Sequence, residues 1–389
     1  MMSAEFKPYN LKLVKPSFDS RLTDLIIELE HLRKKQLGGS THPQVFFQLK
    51  HIFHTLESIG SVRIEGNNTT IAEYFENKLD EDSNKNVSYN ILAIQNIEKA
   101  MEFIEKNVEN YPINKIFISE LHKIIVEGLP FTNGEEGDKT PGLYRSHKIK
   151  ISNSKHLPPE PYLIEGYMDE MFEFIKNEDS SKFDLLKSAI AHHRFVWIHP
   201  FGNGNGRTVR LFTYAMLIKN GFNVNVGRIV NPTAVFCNNR NEYYDKLSKA
   251  DLGTEEGILE WCEYVLNGLK DEIEKIDKLS DYQFLKTEIL LPSINFSLSR
   301  KIITDTEAKI LKETIEKQVI QNSDLEKFFK GKAKSEISRQ IKKLLEKKML
   351  IPERDSARKY VLRFDNNYLL RGVIKMLDEK DFLPLRDEL

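Results

Sequence analysis

Apolar residues recur every three or four positions through most of the chain. From Asp19 to Leu37, Leu22, Leu25, Ile26, Leu29 and Leu32 fall on one face of a helix that Gly38-Gly39 stops. The same period predicts helices over Gln44–Ile59, ending at Gly60, and over Asn90–Val108, Asn114–Glu127, Pro161–Lys176, Phe183–Ile198, Asn205–Asn220, Asn238–Lys249 and Glu255–Leu279. Between residues 128 and 161 the rhythm breaks. Gly, Pro and Asn accumulate, and His147–Ser152 alternates polar and apolar with period two, which predicts a strand in a small β-hairpin closed at Asn153-Ser154. Asp80–Val87 is a polar loop, and no internal repeat is present.

The last quarter has a different grammar. Helices are expected at Asp305–Lys317 (opened by Thr304), at a short stretch from Ser323, and at Ser335–Leu350. Strands follow at Leu350-Ile351 and Tyr360–Phe364, around a charged turn at Glu353–Lys359. Three helices and a hairpin in that order resemble a winged helix, a variant of helix-turn-helix. Charge changes at the same place. Residues 1–300 hold 36 Lys and Arg against 42 Asp and Glu, whereas residues 301–365 hold 17 against 11, in a chain of net charge −1. A basic module on an acidic body suits nucleic acid or a solvated helical surface equally. Lys334, Ser335, Ser338, Arg339 and Lys342, with Arg354, Arg358 and Lys359 in the wing, are the positions that would meet phosphates or base edges. Winged helices also dock proteins. The fold class expected is therefore mainly α, with a small β-hairpin and a C-terminal winged helix-turn-helix domain.

At 389 residues the chain predicts two or three domains. No apolar run approaches the roughly 18 residues of a membrane span. The first residues carry no apolar core of a secretory signal. Cys237 and Cys262 are too few for a disulfide framework and lack metal-ligand spacing, so inert thiols in a cytoplasmic protein are expected. His51 and His54 lie one turn apart without a third ligand nearby, as surface or core histidines do.

The chemistry concentrates in Ile198-His199-Pro200-Phe201-Gly202-Asn203-Gly204-Asn205-Gly206-Arg207-Thr208-Val209-Arg210. Pro200 disfavours helix at His199, and a new helix starts near Asn205. Three glycines leave the backbone bare at that helix N-terminus, where free amides and the helix dipole both favour an anion. Arg207 and Arg210, three apart, share a helix face and suit phosphate groups. A histidine at the rim suits removal of a proton near neutral pH. Together they suggest attack of a hydroxyl on a phosphate. A Rossmann loop fails here because the preceding segment is helical, and a P-loop fails because Arg207-Thr208 stands where Lys-Ser/Thr is needed.

This segment resembles the motif of the Fic (filamentation induced by cAMP) family, His-x-Phe-x-Asp/Glu-Gly-Asn-Gly-Arg-x-x-Arg, departing from it only at Asn203. Thr140-Pro-Gly-Leu-Tyr-Arg145 and the strand after it resemble the family's flap. Asn239-Arg-Asn-Glu-Tyr243-Tyr244 with Trp261 resembles its later helices, and Ser61-Val-Arg-Ile-Glu65-Gly66 resembles its inhibitory signature. The resemblance implies a protein adenylyltransferase that moves AMP from ATP to a Ser, Thr or Tyr hydroxyl of a target protein or of itself. It divides the chain into an N-terminal helical region with the inhibitory motif (1–95), a Fic core (96–285), the winged helix (300–366) and a tail (367–389).

It further implies His199 as general base. Gly204, Asn205 and Gly206 would hold the α-phosphate, Arg207 the outer phosphates, and Arg210 either the γ-phosphate or Glu65. Asn239 and Tyr243 would line the adenine pocket. Lys148, Ile149, Lys150 and Ile151 would dock the target as an added strand, and Ser61, Glu65 and Gly66 would restrain the site. Mg²⁺ or Mn²⁺ would come chiefly with the ATP phosphates, because Asn203 lacks the carboxylate charge that favours a hard cation. Family members often dimerise, which implies a homodimer. The alternatives are removal of AMP, transfer of another phosphate-containing group, or a DNA-binding regulator, through Arg339 and Lys342, with a weakened nucleotide site.

Overall fold

The computed structural model describes residues 6–34, 40–79, 88–131, 136–151, 154–177, 179–222, 232–331, 333–354 and 358–383. Helices α1 (Arg21–Lys34), α2 (Pro43–Ile64), α3 (Ile71–Leu79), α4 (Tyr89–Asn107), α5 (Lys115–Val126) and α6 (Ile164–Lys176) come first. They are followed by α7 (Asp184–Ile198), α8 (Asn205–Lys219), α9 (Pro232–Cys237), α10 (Arg240–Ala250) and α11 (Glu255–Asp277). Then come α12 (Tyr282–Phe284), a π-helical stretch Leu285–Leu290, α13 (Leu291–Ser299), α14 (Asp305–Lys317), α15 (Lys334–Glu346) and α16 (Leu370–Glu379).

The chain forms two compact units. One comprises Met1–Gln36, His54–Thr70 and Asn84–Glu274, and the other Leu37–Phe53, Ile71–Ser83 and Lys275–Leu389. The chain crosses between them within α2, so the division differs from the expected boundaries at residues 95 and 285.

In the first unit α7 and α8 pack together, and both are buried along nearly their whole length, α7 from Leu185 to Ile198 with Val196 alone partly exposed. A helix enclosed on all sides holds its ends rigidly, and the loop between these two inherits that rigidity. α11 locks α7 from behind. Trp261, fully buried, donates from Nε1 to the Ala189 carbonyl at 2.7 Å, and it packs with His192, Phe236 and Tyr243.

In the second unit β1 (Val319–Ile320), β2 (Leu350–Pro352) and β3 (Tyr360–Leu362) form an antiparallel sheet of order β1-β3-β2, with Val319 opposite Val361 and Leu350 opposite Leu362. Thr304 and Glu307 form a capping box that starts α14. The first half of α2 seals the end of β3. Gln48 donates from Nε2 to the Leu362 carbonyl at 2.9 Å and accepts from the Phe364 amide at 2.8 Å.

Three expectations are corrected. α2 does not end at Gly60 but runs on to Ile64, because Ile59, Val62 and Ile64 are buried and packing outweighs the roughly 1 kcal/mol cost of a mid-helix glycine. Lys148–Ile151 form no strand, and residues 152 and 153 of the expected hairpin lie outside the described residues. Among the described residues a guanidinium joins the two legs of this flap: Arg145 donates from Nη1 to the His147 carbonyl at 2.9 Å and from Nη2 to the Pro159 carbonyl at 2.7 Å. The segment 367–389 is no mere tail. It contains α16, which buries Leu370, Val373 and Leu377 and packs on α13.

Because Trp261 is fully buried and ties α11 to α7, the helix that leads into the loop, Trp261→Ala is expected to cost about 4 kcal/mol of unfolding free energy, read from urea denaturation.

Candidate active site

α7 terminates at His199, which adopts a left-handed conformation (φ 51°, ψ 62°) that a side chain other than glycine takes up under constraint. Its amide still closes the helix on the Phe195 carbonyl at 2.9 Å. Nδ1 lies 3.1 Å from the Val196 carbonyl. A carbonyl can only accept, so the proton resides on Nδ1 and Nε2 keeps its lone pair. Burial, against the pull of the Val196 carbonyl, pushes the imidazole pKa down to about 4. The ring is therefore a neutral base at pH 7.

Between α7 and α8 the loop is stapled from within. Asn205 accepts from the Phe201 amide through Oδ1 and donates to the Phe201 carbonyl through Nδ2, both at 2.9 Å. Gly204 precedes α8 with φ 72° and no side-chain cap, so the first amides of a 15-residue helix are left for an anion. Asn203 accepts from the Gly204 amide through Oδ1 at 2.7 Å and donates from Nδ2 to the Gly137 carbonyl at 3.1 Å.

Glu65 fills that anion position. A Cβ built on Gly206 would lie 2.1 Å from Glu65 Oε1, so only glycine lets the carboxylate rest against the start of α8. Arg210, almost fully buried, donates from Nη2 to Glu65 Oε1 at 2.8 Å. It also donates from Nη2 to the Ser61 carbonyl at 2.7 Å and from Nε to Ser61 Oγ at 3.0 Å. Burial by itself would raise the Glu65 pKa, but Arg210, then Arg207 and His199, outweigh it and lower it. Burial likewise opposes the charge on Arg210, yet Glu65 raises its pKa overall. One carboxylate thus feels the charge of both guanidiniums and the nearby imidazole, and it is bonded to Arg210.

Arg207 has a partner of its own. It donates to Glu136 Oε2 at 3.2 Å from Nη1 and to the Glu136 carbonyl at 2.5 Å from Nη2. Glu136 lies 3.4 Å from Asn67 Nδ2, which ties it to the turn after Glu65. Burial raises the Glu136 pKa against the pull of Arg207.

Among the other expected residues, Gly66 lies in the turn that follows α2. Lys148 is exposed and paired with Glu160 at 2.5 Å; Ile149 and Ile151 are half-buried and Lys150 is exposed. Asn239 caps α10 by accepting from the Glu242 amide at 3.1 Å, and it lines a groove of about 940 Å³ with the carboxylates of Glu242, Glu260 and Asp271. Tyr243 is a correction. It is a core residue, 2% exposed, with its hydroxyl 3.0 Å from His192 Nε2, and does not wall an open pocket. Arg339 and Lys342 lie in the second unit, exposed on α15, facing Glu336 at 2.9 Å and Glu346 at 3.9 Å.

Sequence reasoning missed His122, Asp138 and Glu136, and placed Arg145 only at the end of the flap motif. Besides bridging the flap, Arg145 donates from Nε to the His199 carbonyl at 2.8 Å, and its amide donates to the Pro200 carbonyl at 2.8 Å. The acids crowded into Glu135-Glu136-Gly137-Asp138 were the one available signal. The loop does not suit a cation held by protein groups. Asn203 is neutral with its oxygen already on Gly204, and no group of three or more His, Cys, Asp or Glu side chains gathers among the described residues.

Residues 112–217 match the model of the Fic/DOC family. The chain is 27% identical over 218 residues to a protein adenylyltransferase Fic of Nematostella vectensis, covering 54% of this chain and 44% of that one. It is 29% identical over 216 residues to a protein adenylyltransferase Fic of Drosophila yakuba, covering 54% and 38%. The chain thus spans less than half the length of these curated relatives. A Fic family protein from Desulfovibrio desulfuricans G20 shares the fold with a TM-score of 0.54 at 18% identity, over 88% of this chain and 94% of that one. Fic-1 from C. elegans does so with a TM-score of 0.50 at 20% identity, over 65% and 71%.

Glu65→Gln leaves the buried Arg210 charge facing a neutral group. With the carboxylate side chain one-third exposed, the expected loss is about 2 kcal/mol, below the range for fully buried pairs. Inorganic triphosphate should restore more stability to this variant than it adds to the parent, read as shifts in thermal midpoint. The Glu65 contribution is present above the ordinary glutamate pKa of about 4.5 and is lost as pH falls through the lowered folded value. The gap between the two proteins should therefore close in acid.

Proposed function

We propose that the Fic/DOC domain carried by this chain is a protein adenylyltransferase held in check by Glu65. The observation that carries the reading is the position of the Glu65 carboxylate, against Gly206 at the N-terminus of α8 and bonded to Arg210. An acidic side chain there stands in for phosphate.

In the reaction a target hydroxyl attacks the α-phosphorus of ATP. The bond from that phosphorus to the bridging oxygen breaks, pyrophosphate leaves, and the hydroxyl proton passes to Nε2 of His199. The Gly204 and Gly206 amides and Asn205 face the α-phosphate and stabilise the charge that builds there. Arg207 takes the outer phosphates once it leaves Glu136, and Arg210 takes the γ-phosphate once it leaves Glu65. Mg²⁺ belongs with the ATP phosphates as part of the substrate. While Glu65 stays in place the triphosphate tail is displaced and its α-phosphorus misaligned, which a reaction catalysed by positioning does not tolerate. Lys148–Ile151, free of any ladder, offer a backbone edge to an extended target segment.

What supports a winged helix in the second unit is the order α14, β1, α15, β2, β3, with the three strands in one sheet and Arg339 and Lys342 exposed. Its ligand on this reading is DNA, for which phosphates must displace Glu336 from Arg339. The reading sets the chain in the cytoplasm, where Cys237 and Cys262 stay thiols, and admits a homodimer as the working form.

Incubation with labelled ATP and Mg²⁺ tests the reading. Glu65→Gly should raise transfer to protein at least about tenfold, and adding His199→Ala should lower it about a hundredfold or more. Equal labelling in parent and Glu65→Gly discards the restraint, and labelling that survives His199→Ala discards the base.

A further inference from the structure

We propose that His122 is a positioning residue of the anion loop: its imidazole fixes the Asn203 carbonyl inward and so turns the Gly204 amide outward to the phosphate. This rests on the proposed transfer reading. His122 projects from α5, fully buried, and lies face to face with Phe201, ring centroids 3.8 Å apart and planes within 3°. The Gly142 amide donates to Nδ1 at 2.8 Å, so Nδ1 is bare and the ring proton lies on Nε2. Nε2 in turn donates to the Asn203 carbonyl at 3.0 Å.

A trans peptide holds its carbonyl and its amide on opposite sides. With the Asn203 carbonyl bound inward, the Gly204 N–H of the same peptide faces away from His122. Without a phosphate, the side chain of Asn203 covers it at 2.7 Å. Asp138 completes the mount by accepting from the Asn203 amide through Oδ2 at 2.9 Å and from the Thr140 amide through Oδ1 at 2.9 Å. His122 therefore joins the flap, through Gly142, to the loop, through Asn203. Burial holds its pKa down at about 4, so both bonds persist at pH 7. A ring contributing packing alone would need neither nitrogen aimed at a backbone group.

Two substitutions separate the nitrogens. Glutamine places an N–H near the position of Nε2, whereas asparagine can set its acceptor oxygen near Nδ1 but is too short to bring an N–H to Nε2. In the full chain carrying Glu65→Gly, His122→Asn should lower kcat for transfer about thirtyfold or more with KM for ATP changed less than about threefold, while His122→Gln stays within about fivefold of its parent. Hydrogen exchange at Gly202–Gly206 should quicken about tenfold in His122→Asn and revert in His122→Gln, with like melting temperatures in both. Unchanged loop exchange in His122→Asn, or a glutamine variant no better than asparagine, overturns the proposal. If the Glu65→Gly parent transfers nothing, the transfer reading fails while the exchange comparison still decides the role of His122. Should the variants not fold, nitrogen shifts of His122 in the unaltered chain serve. A proton on Nε2 supports the proposal, and a proton on Nδ1 rejects it.

Discussion

A guanidinium sealed inside a protein must be matched, and Arg210 is matched by one short stretch of α2. Ser61 and Glu65 lie one helical turn apart. They supply a hydroxyl, a carbonyl and a carboxylate to the same arginine, so the end of α2 is fitted to it as a unit. Glu65 stands at the C-terminal end of α2, where the helix dipole disfavours an anion, and against the N-terminus of α8, where the dipole favours one. Its local helix resists it and the distant one retains it. A contact balanced in this way suits replacement by a more highly charged anion.

The neighbouring arginine is engaged too. Arg207 faces Glu136, and Asn67 joins Glu136 to the turn that follows Glu65, donating also to the Asn90 carbonyl at 3.0 Å. Both cations of the α8 face are thus covered by carboxylates. His199, with its proton held on Nδ1 and the lone pair left on Nε2, has the form that the proposed transfer would use. On the proposed reading this is a base in place beside an anion position held by Glu65, as a restrained transferase requires.

Much of this was legible in the chain. Helical period located α7 and α8 to within a residue or two, and the glycines between them marked the bare backbone at the start of α8. What escaped depended on distant partners. Gly60 signalled an end to α2 that burial of Val62 and Ile64 overrode. The alternation from His147 to Ser152 promised a strand, but alternation cannot tell whether a ladder partner exists, and Arg145 bridges the legs instead. Tyr243 was placed in a pocket wall by the family resemblance, which does not show that its ring packs with Phe236 and Trp261. His122 sat in an ordinary amphipathic helix, and nothing local disclosed that both of its nitrogens meet backbone groups more than a dozen residues away.

The most direct test is a crystal structure of the Glu65→Gly chain with a non-hydrolysable ATP analogue. The account predicts phosphate oxygens on the Gly206 amide and on the guanidiniums of Arg207 and Arg210, with the α-phosphorus turned toward Nε2 of His199. A nucleotide bound elsewhere, or one whose phosphates leave both arginines untouched, contradicts it.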